Sequence, residues 1–145
     1  MQVIVHEIRK GIITQLTNNV SYNSVNVPIY NFTPQGEATP FIRIYTTESS
    51  ENFYNSGSYM IQANIRIDVI TSFDGDSGGE LQANQIMDQV INLTRTRSEN
   101  YIDLSSNNAK VISVLNNGIN YSETFEKDRS YVIANLDLQY QIQLL

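Results

Sequence analysis

Two long stretches of this chain, Tyr59 to Ile70 and Tyr131 to Leu145, alternate apolar and polar residues almost without error. In the first, Tyr59, Ile61, Ala63, Ile65, Ile67 and Val69 share one face, and Met60, Gln62, Asn64, Arg66 and Asp68 share the other. In the second, Val132, Ala134, Leu136, Leu138, Tyr140, Ile142 and Leu144 oppose Asn135, Asp137, Gln139, Gln141 and Gln143. Successive side chains leave a strand on opposite faces. Period two held this long therefore predicts long antiparallel strands, buried on one side and wet or partner-facing on the other. Such strands build a scaffold, and nothing on them has the make-up of a reaction centre.

The rest of the chain reads as helix, strands, helix, strands. Residues 3 to 18 have helical spacing, with Val5, Ile8, Ile12 and Leu16 on one stripe that Ile4 and Ile13 broaden; Gly11 weakens the interior. Val25 to Tyr30 is extended, and Pro28 marks an edge or a bend because it has no ladder donor. A loop over Asn31 to Pro40 leads to a strand at Phe41 to Thr47. Glu48 to Ser58 is a polar connection longer than a tight hairpin needs, with Phe53 and Tyr54 at its tip. Two aromatics there serve either to dock a partner or to fold back on their own sheet.

Thr71 to Gly79 punctuates the chain again, and Ser77 to Glu80 has the spacing of a capping box. The helix it opens reaches about Thr94, its stripe made of Leu81, Ile86, Met87, Val90, Ile91 and Leu93. A polar stretch, Ser98 to Asn108, precedes a strand at Ala109 to Leu115. Asn117-Gly118 then signals a turn into a strand from Ile119 to Phe125, and Glu126 to Arg129 connects to the last strand.

Composition narrows the chemistry. The 145 residues suit one domain, 1–145, with a core of its own. With no cysteine there is neither a disulfide framework nor a thiolate ligand or nucleophile. A net charge of −6 argues against a surface built to neutralise phosphates, although an acidic ring would let DNA slide through unbound. The N-terminal segment carries Glu7, Arg9 and Lys10 within its apolar pattern, so neither a targeting sequence nor a membrane span is expected.

No catalytic, cofactor or metal motif survives inspection. His6, the single histidine, has no Ser or Asp at a motif spacing and reads as an ordinary helix residue. Asp74-Gly75-Asp76-Ser77 invites a calcium reading, but Gly78 and Gln85 stand where that twelve-residue loop needs ligands. Gly75, Gly78 and Gly79 lack phosphate-loop spacing and a following Lys. The nine tyrosines lack interleaved basic residues and read as strand formers.

As a whole, the arrangement resembles the lambda-type tail terminator family, the small tail-completion proteins of tailed bacteriophages. The residues that carry the likeness are Ile29-Tyr30, Pro34-Gln35-Gly36, Thr39-Pro40-Phe41-Ile42, the strand Asn64-Ile65-Arg66-Ile67-Asp68-Val69, and the closing strand Tyr131 to Leu145. The stretch from 98 to 108 is longer than the connections expected there. The resemblance implies an α+β fold, a mainly antiparallel sheet of four to six strands with two helices on one face. It implies a structural virion protein that forms a homo-oligomeric ring, usually a hexamer, at the head-proximal end of the tail. Such a ring ends polymerisation of the tail tube protein and joins the tail to the head-completion or connector protein.

DNA would pass through the channel without specific binding, past an acidic lumen. Assembly would take place in the host cytoplasm, with no membrane, cofactor or metal. The candidate interface is Glu48, Glu51, Asn52, Phe53, Tyr54, Phe73, Asp74 and Asp76. Rival readings are another neck component, either a head-closure or a connector adaptor ring, and a monomeric binding module or small enzyme using His6.

Overall fold

The two alternating stretches are the central strands of the sheet. The computed structural model describes residues 2–31, 39–55, 58–74, 80–95, 97–126 and 129–145, and leaves aside the side chains of 2–3, 52–55, 58 and 74. Its elements are α1 (Gln2–Leu16), β1 (Ser21–Tyr22), β2 (Val25–Asn26), β3 (Ile29–Tyr30), β4 (Phe41–Asn55), β5 (Ser58–Asp74), α2 (Leu81–Thr94), two 3-10 turns (Ser98–Asn100 and Ser105–Asn107), β6 (Ala109–Glu126) and β7 (Arg129–Leu144). The main sheet has five strands in the order β3-β4-β5-β7-β6, and β1 and β2 form a separate small hairpin. Every pairing in the main sheet is antiparallel except the short β3–β4 match, where Ile29 and Tyr30 lie beside Ile42 and Arg43. The fold is α+β, as expected.

The core is the helix-facing side of this sheet. Ile61, Ala63, Ile65, Ile67 and Val69 on β5, and Val132 to Ile142 at every second position on β7, are buried together with Ile42 and Ile44. Against them pack Ile4, Val5, Ile8, Ile12 and Leu16 of α1 and Ala83, Ile86, Met87 and Val90 of α2. The helices divide the sheet between them: α1 lies on β3 and β4, while α2 lies on β5 and β7. Both helices therefore sit on the same face as the apolar halves of the alternation, and among the described residues the opposite face has no helix on it. Among the described residues no helix is long and apolar enough to cross a membrane.

Several sequence expectations need correction. Of the expected loop from Glu48 to Ser58, Glu48 to Asn55 is strand: β4 continues to Asn55 and pairs with β5, with register shifts between Thr46 and Glu48 and between Phe53 and Asn55. Polar residues complete a ladder because its hydrogen bonds come from the backbone, and strand propensity is a weak constraint next to a long partner. The same logic carries β5 past Thr71 to Asp74. Asn117-Gly118 is not a hairpin turn but part of an irregularity within the single strand β6, since residues 109–116 and 119–126 both pair with β7. Gly118 holds a φ of 115° there, which explains the residue type.

The ends of α2 also differ from expectation. The helix begins at Leu81, with Glu80 at the cap position and no side-chain capping bond; Ser77 to Gly79 lie outside the described residues. Leu81, assigned to the apolar stripe, is 68% exposed because it sits on the first turn, ahead of the buried face that starts at Ala83.

The polar stretch after α2 forms the two 3-10 turns and lies against α1. A side-chain carbon built on Gly11 would fall 2.7 Å from Ile102 Cγ2. The helix-weakening glycine is thus where this segment crosses closest to α1.

Candidate assembly surface

Among the described residues the helices lie on one side only, which leaves the outer face of the sheet open to a partner. Register sorts its residues into rows across β4, β5 and β7. Phe41, Ile70 and Ile133 form an apolar row; Arg43, Asp68 and Asn135 form the next; Tyr45, Arg66 and Asp137 follow. Beyond the β4 irregularity come Glu48, Asn64 and Gln139, then Ser50, Gln62 and Gln141. The face grades from apolar at the β6–β7 hairpin end, through two rows of charge, to a ladder of amides and hydroxyls. Period two alone produces this separation from the core.

The charged rows are tightly organised. Arg43 Nε donates to Asp68 Oδ2 at 2.7 Å, and the Asp68 side chain has no exposed surface. The Arg43 guanidinium carbon also stands 5.7 Å from the centre of the Tyr45 ring, within cation–π range. Burial pushes the Tyr45 hydroxyl above its ordinary pKa, and the Asp68 carboxylate adds to the rise by disfavouring a second negative charge. Asn64 Oδ1, Arg66 Nε, Asp68 Oδ1 and Asp137 Oδ1 are buried and have no hydrogen-bond partner among the described residues. Such atoms raise the value of any surface that supplies donors and acceptors to them.

At the apolar end, Phe41, Ile70, Tyr131 and Ile133 line a hollow of about 240 Å³ together with Arg43, Thr124 and Glu126. Phe41 and Ile70 are 8% and 7% exposed even though they belong to the outer face. A second hollow, of about 420 Å³, lies between the segment after α2 and the start of β6, with Asp103, Lys110 and Leu145 among its walls. The Asp103 carboxyl is held below its ordinary value by hydrogen bonds from Ser105, whose backbone N–H donates to Oδ1 at 2.9 Å.

The residues singled out from the sequence are dispersed. Glu48 and Glu51 are exposed on β4, near the β4–β5 hairpin end. The backbones of Asn52 and Phe53 pair with Met60 and Tyr59, and Tyr54 stands at a second register shift; the side chains of all three lie outside the described residues. Phe73 is half-buried and packs on the core, because β5 keeps its alternation to the end and puts Phe73 on the face of Ile67 and Val69. The Asp74 backbone pairs with Arg129, at the opposite end of the sheet from Glu51; its side chain, like Asp76 altogether, lies outside the described residues. His6 is exposed on α1.

Sequence reasoning missed the cross-strand cluster of Arg43, Tyr45, Arg66, Asp68 and Asp137. Arg66, Asp68 and Asp137 were assigned to polar faces, but their alignment with β4 depends on register. The only available signal was that the polar faces of two such regular strands carry charged residues, Arg66 and Asp68 on one and Asp137 on the other.

No family model matches the chain, and no curated protein matches it. Among solved structures, the chain is similar to one from the virion of a native gene transfer agent particle. The two share 11% identity with a TM-score of 0.57, over 97% of this chain and 91% of that one, which is a likeness of fold.

Proposed function

We propose that this protein is a structural component of a phage-like virion, and within it a tail-terminator ring. The ring closes the head-proximal end of the tail, stops tube polymerisation and joins the tail to the head connector. The observation that carries this reading is the near full-length likeness of fold to a chain of a gene transfer agent virion. The outer sheet face supports it, since an open polar face with buried unpartnered atoms suits contact with other subunits. That face sets Arg43 and Arg66 against Asp68, Asp137 and Glu48 and is otherwise rich in amides. If it lines the channel, DNA meets a polar wall with a slight acidic excess there, and the rest of the acidity expected from net charge has to come from other elements.

Light scattering of the purified chain, alone and mixed with tail tubes and with portal complexes, tests the reading. A hexamer that caps tube ends is expected. A dodecamer bound only to portal would make the protein a connector adaptor. A monomer at every concentration, binding neither, would end the virion reading. Truncating Phe53 and Tyr54 to alanine is expected to weaken tail joining; unchanged ring assembly and unchanged joining would remove the β4–β5 tip from the interface.

A further inference from the structure

The helix layer of this protein covers its sheet unevenly. α1 packs on β3 and β4 and α2 packs on β5 and β7, whereas among the described residues the main partners of β6 are β7 and the second 3-10 turn. Yet the distal half of β6 alternates as a half-buried strand does. Ile119, Tyr121, Glu123 and Phe125 oppose Leu136, Ala134, Val132 and Ser130 and so share the helix-side face, while Asn120, Ser122, Thr124 and Glu126 share the outer one. Tyr121 is 43% and Phe125 66% exposed. This is an apolar stripe on the core side of the sheet, one strand beyond the last helix.

Strand direction limits what fits over it. With β4, β5, β7 and β6 successively antiparallel and β3 parallel to β4, β6 runs opposite to both strands at the far edge. A second copy placed beside the first in the same orientation therefore sets its β3 and β4 edge antiparallel to β6. That edge arrives with α1 above it, the helix that packs on β3 and β4. The stripe also contains a charge, Glu123, which on an apolar face needs a cation. α1 carries the exposed cation Lys10, whose Nζ makes one long 3.9 Å contact with Glu7 Oε2 on the same helix and keeps most of its surface free.

We infer that the β6 stripe of Tyr121, Glu123 and Phe125 is the socket for α1 of a second copy of this chain, docked head to tail along the β6 edge. Each subunit then lends its first helix to its neighbour's uncovered strand, and the repeated contact is heterologous, the kind that closes rings. The inference rests on the ring reading and adds to it which surfaces meet.

The absence of cysteine makes the test direct. Cysteines are introduced in pairs, Tyr121→Cys or Phe125→Cys with His6→Cys, Lys10→Cys or Thr14→Cys, and the purified protein is oxidised. Within one protomer α1 lies over β3 and β4, and β6 is three strand spacings from β4, roughly 14 Å, so a disulfide between these positions has to be intermolecular. A ladder of covalent oligomers from at least one pair, absent from every single-cysteine variant, is the expected result. Dimers from Tyr121→Cys alone would mean symmetric β6–β6 pairing and overturn the inference. A ring in light scattering without any ladder would place the interface elsewhere and leave the ring reading intact. A chain that remains monomeric would defeat both. In addition, Tyr121→Asp with Phe125→Asp is expected to weaken self-association at least tenfold while the melting temperature of the protomer stays the same; an unchanged oligomer would count against the socket.

Discussion

Arg43 and Asp68 face each other across β4 and β5, the guanidinium Nε 2.7 Å from Oδ2 of a carboxylate that has no exposed surface. The arginine side chain is 25% exposed, so the pair is asymmetric: one partner can still reach water and the other cannot. Removing Arg43 strands a buried charge, whereas removing Asp68 leaves a cation able to rehydrate. Arg43→Ala should therefore cost about 3 kcal/mol and Asp68→Ala about half as much. Urea unfolding of both variants checks the order. Equal losses would mean that the buried carboxylate has other support.

Gly11 yields a prediction of the opposite kind. Alanine is the better helix former by about 1 kcal/mol, but its methyl would press on Ile102 at 2.7 Å. Gly11→Ala alone is expected to destabilise by about 1 kcal/mol. Combined with Ile102→Ala, the same change should cost less than Ile102→Ala does alone, because the methyl fills the space that the shorter side chain opens. A double-mutant cycle in urea measures this coupling, and simple additivity would refute the contact.

At Gly118 there is space but the wrong backbone. Nothing lies within 4 Å of a side-chain carbon built there, yet φ is 115°. Gly118→Ala should cost about 2 kcal/mol from backbone strain alone. No second substitution nearby should relieve it, in contrast to Gly11. A melting temperature equal to that of the parent would show that the irregularity in β6 can shift to accommodate a side chain.

Tyr140 is buried in the C-terminal half of β7, and desolvation raises its phenol far above 10.0. A folded-state pKa above the unfolded value gives stability that is complete below pH 10.0 and is lost as pH rises beyond it, because only the unfolded chain can release the proton. Tyr45 contributes with the same sign, its hydroxyl being raised by burial and by Asp68. Tyr140→Phe should therefore flatten the fall in unfolding free energy between about pH 9 and about pH 11. Parallel curves for parent and variant would contradict the burial argument.

The fold was legible wherever local pattern decides. The alternation in β5 and β7 and the stripes Ile4, Val5, Ile8, Ile12, Leu16 and Ile86, Met87, Val90 depend on the periods of strand and helix, and each appears in the core as its spacing implies. What failed was punctuation. Glu48 to Ser58 and Asn117-Gly118 carry turn-like residues, yet both lie largely within strands because a long neighbour offers a backbone ladder that side chains do not veto.

By itself, then, the sequence determined the element types, the core faces and the α+β class, since those follow from the side-chain period along a single segment. Only the tertiary structure decided the order β3-β4-β5-β7-β6, the pairing of Arg43 with Asp68, and which strand lacks a helix above it. Those depend on register between segments far apart in the chain, and a one-residue slip would have turned each of them to the other face.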